Sequence, residues 1–356
     1  MASTAPADPP SSGSHACAHC GALAVFACPV CRDTPRLDDK VESKWYCDAY
    51  CQTADWPDHR PLCKKLIARR RLSRAADFVQ SLWYIFKEES NDHRVVDITL
   101  KDSVYHVHGD VASPHRLDKS YRFPFPNKLM LDESVKQAVL AHTMCCHAFY
   151  HMHDTIVQLL KDLYDDVSEA SVVVKNECKK RCVRSLIGGQ VDEVDYRHHI
   201  MKVKLKSGEV YAIDITGAQY GFHRAMVPWA EYMSTIHGAQ NYAFGTARDV
   251  IRERLRVRDL ESLLERYNEE TGLVFKTTLT EALWLAGGLS LPRLIRLPEP
   301  AFREKQTQIL RHVQAGLHNA TELSCPVTIR QLAVKHNYNL SAIMRQRGSR
   351  IIGIAS

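Results

Sequence analysis

The spacing of apolar side chains predicts long helices in the middle of the chain. After residue 64 they recur at intervals of three and four, as on one helix face, at Ala75, Phe78, Val79, Leu82, Trp83 and Phe86. We expect this connecting helix to span 65–94. Asp132 is a suitable N-cap for a second helix. The run behind it predicts one long, buried helix through Val135, Val139, His142, Cys146, Phe149, Met152, Ile156, Leu160 and Leu163.

Alternation of apolar and polar residues at period two predicts two hairpins. The first lies near residues 95–108. In the second, a strand ends near Leu205, Ser207 and Gly208 supply a turn, and a strand returns over 210–215.

The last third of the chain has helical spacing. One helix, ended by Gly272, is predicted from Val250, Ile251, Leu255, Leu260, Leu263, Leu264 and Tyr267. A second is predicted from Phe302 to Leu317. Hairpins followed by helices favour the α+β fold class.

Composition is that of an ordinary globular protein: 356 residues, 45% hydrophobic, 25% charged and a formal net charge of +6. Part of the positive charge forms one run, Lys64, Lys65, Arg69, Arg70, Arg71 and Arg74. We interpret the run as a solvated helix face, with nucleic-acid binding or nuclear import as alternatives. The sequence contains neither a membrane-spanning stretch nor a secretion signal, so we expect a nuclear or cytoplasmic protein without a membrane partner.

Cysteine spacing gives the strongest chemical signal. Seven of the 12 cysteines lie within the first 63 residues, and a histidine joins them in the pattern Cys17-x2-Cys20-x7-Cys28-x2-Cys31-x15-Cys47-x3-Cys51-x7-His59-x3-Cys63. In a reducing compartment, such pairs favour metal ligands over disulfides. Eight ligands suffice for two tetrahedral zinc ions, which would stabilise a segment too short to fold by apolar burial alone.

The second half of this pattern resembles a MYND finger, through Tyr46-Cys47-x3-Cys51-Gln52, Asp55-Trp56 and His59-x3-Cys63. The whole chain is similar to fungal MYND-finger proteins that carry an additional uncharacterised domain. The resemblance implies cross-brace ligation by two sets of four residues. Cys17, Cys20, Cys47 and Cys51 would hold the first zinc, and Cys28, Cys31, His59 and Cys63 the second.

The same resemblance implies a protein-interaction role, adaptor or regulatory, through short proline-containing peptides. Gln52 and Trp56 are the expected peptide contacts, although Trp56 could instead pack in the core of so small a module. MYND fingers also precede histone methyltransferase domains. Residues 65–356 contain neither the Asn-His-x-Cys-x-Pro-Asn-like segment nor the later cysteine cluster of those enzymes.

An enzymatic alternative rests on the segment 199–221, which is similar to the His-strand-Asp hairpin of papain-like and transglutaminase-like folds. If Ser207 and Gly208 form a two-residue turn, Met201 lies opposite Asp214. His199 would then lie on the same face as Asp214, one diagonal step away, and the imidazole could pair with the carboxylate.

Such an enzyme also requires a nucleophile at the start of a helix, where the thiol pKa is lowered. Cys178 is the candidate because Asn176 is a possible N-cap just before it. We interpret Cys145 and Cys146 as core residues in the middle of the long helix.

The C-terminal segment from Thr328 to Ile343 is similar to a helix-turn-helix, which leaves a DNA-binding regulator as a further alternative. Ala333 is small enough for a helix crossing, and Asn337 can adopt the left-handed conformation of the turn. Phosphate contacts would come from Arg345, Arg347 and Arg350.

We therefore expect an α+β protein in which a small cross-brace zinc module is followed by a larger, helix-rich domain with antiparallel hairpins. The predicted parts are a disordered tail (1–14), the MYND zinc finger (15–64), the connecting helix (65–94), an α+β domain of unknown function (95–322) and a helical C-terminal segment (323–356).

Overall fold

The computed structural model divides into two compact units, Met1–Arg71 and Leu72–Ser356. Helices and mainly antiparallel strands build it, so the predicted α+β class is confirmed. In the part of the chain that the structure describes, no helix is both long and apolar enough to cross a membrane. The described residues are 15–30, 32, 34–35, 43–91, 93–111, 123–129, 132–175, 182–184, 197–322 and 329–343.

The first unit is a small module of short elements. Strands β1 (Phe26–Ala27) and β2 (Trp45–Tyr46) pair antiparallel, and α1 spans Ala49–Ala54. Its buried cluster comprises Cys17, Cys28, Tyr46, Cys51, Cys63 and Leu66. Because most of these side chains are cysteines, apolar burial alone contributes little folding free energy to the module.

Helix α2 (Trp56–Glu89) begins and ends earlier than the predicted connecting helix. Pro57 and Asp58 in its first turn favour that start, since proline lacks an N–H that would need a partner there and an acid interacts well with the helix dipole. The predicted apolar face is confirmed, because its six side chains are all buried: Ala75, Phe78, Val79, Leu82, Trp83 and Phe86.

The predicted hairpin near 95–108 is confirmed. Strands β3 (His93–Lys101) and β4 (Val104–Val111) pair antiparallel. Asp102 and Ser103 between them have φ of 50° and 64°, as in the two-residue turns whose twist matches paired strands. A short strand, β6 (Cys182–Arg184), adds in parallel to β4.

The predicted single long helix is wrong, because the chain forms α3 (Glu133–Ala141) and α4 (Cys145–Leu160) with a break between them. Asp132 caps α3 as predicted, accepting from the Ser134 N–H at 2.8 Å. Thr143 in the break has φ of 59°, and its N–H donates to Gln219 Oε1 at 3.2 Å. Apolar spacing continues across the three-residue break, so the pattern alone could not show it.

A five-stranded antiparallel sheet forms the centre of the second unit, and its strands are β5 (Tyr164–Val174), β7 (His198–Leu205), β8 (Val210–Ile213), β9 (Met226–Pro228) and β10 (Ile236–Ala243). Neighbouring strands follow the order β10-β5-β7-β8-β9. One face of the sheet packs against α2 and α4 through residues such as Met201 and Ile213, and the other face buries Ile200 and Ala212.

The second predicted hairpin exists as β7 and β8, but its two-residue turn is wrong. The Leu205 N–H donates to the Glu209 carbonyl at 2.8 Å, and the Gly208 N–H donates to the Leu205 carbonyl at 2.8 Å. This leaves a three-residue loop in which Gly208 has φ of 86°. Met201 consequently pairs with Ile213, one residue short of the predicted register.

Helices predominate among the described residues after β10. Helix α7 (Leu260–Leu285) runs through Gly272, so the predicted end at Gly272 is wrong. A Cβ at this position would lie 2.9 Å from His151 Nδ1, and glycine therefore allows His151 to pack closely against the helix. The predicted helix from Phe302 to Leu317 is confirmed within α9. The helices are α5 (Trp229–Met233), α6 (Thr246–Arg254), α7 (Leu260–Leu285), α8 (Leu291–Leu294), α9 (Glu299–Glu322) and α10 (Ile329–Lys335).

Candidate metal centre

The first unit brings four thiols to one point. Cys17 and Cys20 flank a tight turn, Cys47 follows β2, and Cys51 lies on α1. Their sulfur atoms all lie within 4.8 Å of one another. The Cys20 and Cys47 sulfurs are 3.6 Å apart, and those of Cys47 and Cys51 are 3.4 Å apart.

The local backbone explains this convergence. Gly21, with φ of 75°, closes the turn after Cys20 and donates its N–H to the Cys17 carbonyl at 3.0 Å. Asp48 caps α1 and accepts from the Cys51 N–H at 2.7 Å, which fixes the helix end that carries Cys51.

The four thiols fit a zinc ion. Zinc–sulfur bonds of about 2.3 Å in a tetrahedron place sulfurs about 3.8 Å apart, close to the observed separations. The hydrogen bond to Cys47 and burial raise the pKa of Cys51 well above its usual value. A zinc ion would therefore have to displace the proton of Cys51, and its positive charge would hold the thiolates together.

A second cluster contains Cys28, His59 and Cys63, whose ligand atoms also lie within 4.8 Å of one another. His59 and Cys63 are four residues apart on α2, so they project from the same helix face. All three side chains are buried. Cys31, the predicted fourth ligand, lies outside the described residues.

A buried polar network beside this cluster was not anticipated from the sequence. Asp55 Oδ2 accepts from the Tyr46 hydroxyl at 2.7 Å and from Lys44 Nζ at 2.9 Å. The Asp55 carbonyl accepts from the His59 N–H at 2.8 Å, which ties the carboxylate to the ligand helix. Burial opposes ionisation, but the bonds from Tyr46 and Lys44 outweigh it and lower the pKa of Asp55.

The predicted peptide contacts lie at the surface of the finger. Trp56 is 42% exposed, and its ring meets that of His59 edge-on at 5.9 Å. Gln52 on α1 is partly exposed. Tyr50, which the sequence did not single out, is 78% exposed. Trp56 is therefore not enclosed in the small core.

The predicted pairing of His199 with Asp214 is wrong. His199 Nε2 contacts Glu169 Oε2 at 2.7 Å, while Asp214 Oδ2 contacts Nε2 of His198 at 2.8 Å. The three-residue loop causes the exchange, because it shifts the β7–β8 register by one residue and so places the neighbouring histidine on the face of Asp214. Cys178, the proposed nucleophile, lies outside the described residues.

The described residues of the C-terminal segment, 329–343, form α10 and a following turn, which pack within the second unit. Ala333 and Ile343 are buried beside Leu263 and Tyr267, and Asn337 has φ of 58°, as predicted for the turn. Arg345, Arg347 and Arg350 lie outside the described residues. DNA binding stays a prediction.

Comparisons with known proteins identify the finger. Residues 17–63 match the family model described as MYND finger, so this part of the predicted resemblance is confirmed. A 55-residue stretch is 36% identical to Tudor domain-containing protein 1 of Oryzias latipes. That stretch is 15% of this chain and spans only 4% of the other protein. No solved structure gives a significant match.

Proposed function

We propose that this chain is an adaptor or regulatory protein of the nucleus or cytoplasm whose MYND finger binds short proline-containing peptides. The family match makes the finger a zinc-binding protein-interaction module. Gln52 and Trp56 are its peptide contacts, and two zinc ions hold the surface that carries them.

The observation that carries this proposal is the placement of Trp56. Its indole is 42% exposed yet rests against His59, a buried member of the second cluster. An aromatic side chain held in this way offers a large contact area and loses little conformational entropy when a ligand binds. A proline ring, which is apolar and rigid, is a suitable occupant of such a surface.

In this proposal zinc has a structural role and no catalytic one. A zinc ion with four protein ligands keeps no open coordination position for a substrate. The metal therefore fixes α1 and the start of α2, the two segments that carry Gln52 and Trp56.

The test uses the full-length, zinc-loaded protein on an array of short peptides with a central proline, paired with an array in which alanine replaces that proline. We expect retention on the proline peptides only. Trp56→Ala should weaken binding by about 30-fold, a typical effect of truncating a buried interface tryptophan. Gln52→Ala should weaken it less, and zinc content should stay unchanged in both variants.

Trp284→Ala is the matched control, because Trp284 is 73% exposed and lies in the second unit. Equal losses in the Trp56 and Trp284 variants, or equal binding to both arrays, would contradict the proposal. If Trp56→Ala releases zinc, the indole is structural, and Gln52→Ala then decides whether this surface binds peptide.

A further inference from the structure

A thiol, an imidazole and a carboxylate meet in the second unit, far along the chain from the finger. His198 begins β7, and its Nε2 lies 2.8 Å from Asp214 Oδ2 just beyond β8. The Cys145 thiol lies close enough to the same imidazole for each group to shift the pKa of the other. Because Nε2 faces Asp214, the thiol would approach the ring at Nδ1, which it would share with the Gln219 amide nitrogen 3.4 Å away.

Cys145 has the helix position that a nucleophilic cysteine requires. It is the first residue of the 16-residue helix α4. The first N–H groups of a helix lack acceptors within the helix, and Met144 at the N-cap makes no side-chain capping bond. These groups and the helix dipole stabilise negative charge on the sulfur and on an oxygen placed beside it.

A side-chain amide lies beside the same imidazole. Gln219 Nε2 is 3.4 Å from His198 Nδ1, and its Oε1 accepts from the Thr143 N–H at 3.2 Å. Gln219 therefore joins the strand end that carries His198 to the break before α4. Gln219 Nε2 also donates to the Thr216 carbonyl at 3.2 Å, which holds the amide in place beside the imidazole.

The carboxylate is held rigidly behind the imidazole. Asp214 Oδ2 also accepts from the Tyr232 hydroxyl at 2.9 Å, and Oδ1 accepts from the Thr216 N–H at 3.2 Å. A Cβ on Gly217 would come within 2.6 Å of Oδ2, so the backbone itself closes around the acid. Asp214 thus fixes the orientation of the His198 ring.

Burial and neighbouring charges shift the pKa values of His198, Cys145 and Cys146. Burial alone would lower the pKa of His198, but Asp214 and the contact with Cys145 raise it to about 10. The hydrogen bond to Cys146 and burial raise the pKa of Cys145 to about 12, although the nearby His198 acts in the opposite direction. The same hydrogen bond lowers the pKa of Cys146. Cys146 therefore competes with Cys145 for the negative charge.

Of the three groups, only Cys145 is partly exposed, and it is the one that a substrate could reach; His198 and Asp214 are buried. Within the described residues, the buried Tyr84 hydroxyl and Thr216 Oγ1 make no hydrogen bond, although Asp214 influences the pKa of Tyr84 and accepts from the Thr216 backbone. Buried hydroxyls of this kind usually have water or a ligand as partner.

We propose that Cys145, His198 and Asp214 form a thiol-dependent acyl-transfer site, with Cys145 as nucleophile and an amide as acyl donor. His198 is the acid and base, Asp214 and Gln219 position its ring, and the α4 N-terminus binds the carbonyl oxygen. An amide suits the site because its nitrogen leaves only with a proton, and His198 can deliver to it the proton taken from Cys145.

The chemistry requires no redox partner. Cys145 gives its proton to the neutral form of His198 as its sulfur attacks the carbonyl carbon, and the C=O electron pair moves onto oxygen. The intermediate collapses, the C–N bond breaks, and His198 protonates the departing amine, leaving a thioester on Cys145. Water then loses a proton to His198, attacks the thioester carbon, and releases the acid and the Cys145 thiolate.

The test uses the full-length, zinc-loaded protein with p-nitrophenyl acetate as a small activated acyl donor. We expect nitrophenolate release together with an acetyl thioester on Cys145, located by peptide mass spectrometry. Cys145→Ala should remove this thioester and slow the release to the rate given by the remaining nucleophiles and by water. Cys146→Ala, the matched neighbouring control, should preserve acetylation of Cys145 or accelerate it, because the competing thiol is gone.

His198→Gln should slow acetylation of Cys145 by about 100-fold or more, the scale of general acid–base catalysis. Asp214→Asn should slow it and shift its pH profile, and circular dichroism would show that the variants fold. If His198→Gln does not fold, Asp214→Asn and Gln219→Ala decide. Acetyl groups found only on other cysteines, or equal rates at Cys145 in the wild type and in the folded variants, would overturn the proposal.

Discussion

Tyr46→Phe should weaken zinc retention by removing a single buried hydroxyl. Tyr46 is fully buried, and its hydroxyl donates to Asp55, whose carbonyl binds the N–H of His59. The phenylalanine ring preserves the packing against Phe26 and His59. The substitution therefore isolates one hydrogen bond.

The structure sets the size of the effect. A hydrogen bond to a charged group contributes roughly 1.5–3 kcal/mol, and Lys44 still partners Asp55 in the variant, so we expect the lower half of that range. Folding of the finger and zinc binding are coupled. The same free energy should then appear as about 10- to 40-fold weaker apparent zinc affinity, at 1.4 kcal/mol per tenfold.

The assay titrates full-length zinc-loaded protein with a chelator and follows zinc release with a metal-sensitive dye. Tyr50→Phe is the control, since Tyr50 is 78% exposed on the adjacent helix α1. Equal zinc retention in the wild type and Tyr46→Phe would refute the argument that the Asp55 network supports the metal ligands.

Three other substitutions give distinct outcomes. Cys47→Ser should unfold the finger, seen as loss of bound zinc by metal analysis, since a missing ligand forfeits binding energy that folds it. Gly217→Ala should destabilise the second unit by about 1–3 kcal/mol in denaturant unfolding, because its Cβ would clash with Asp214. Burial raises the pKa of Asp77 from 3.8 to about 6. The stability that this preference for the protonated carboxyl contributes is fully present below pH 3.8 and is lost as pH rises through 6. Asp77→Asn should flatten this pH dependence and raise the free energy of unfolding at pH 7 by up to about 3 kcal/mol.

The ligand pairs of the zinc clusters follow from the sequence because ligand spacing is a local property, while their cross-brace grouping is what the resemblance to a MYND finger implies. A spacer of two residues between Cys17 and Cys20, or of three between His59 and Cys63, directs the two side chains of a pair to one point, whatever the rest of the fold is. The Asp55 network does not follow in this way. Tyr46 and Lys44 come from a different segment, and only the folded module shows that their side chains meet one carboxylate.

The second unit shows where pattern reasoning fails. Apolar periodicity passes unchanged through the break at Thr143, so it hides the fact that Cys145 starts a helix. The sequence does not distinguish a three-residue hairpin loop from a two-residue turn at Ser207 and Gly208. This difference of one residue makes His198, instead of His199, the partner of Asp214. Gly272 resembles a helix stop because the close approach of His151 is a tertiary contact.

Zinc content tests the account of the finger most directly. Metal analysis of the full-length protein, purified without added zinc and then loaded and desalted, should give two zinc ions per chain. Cys28→Ser and Cys17→Ser should each lower that number, since the two residues belong to separate clusters. A wild-type protein that retains one zinc ion or none would contradict the cross-brace finger on which the proposed peptide surface depends.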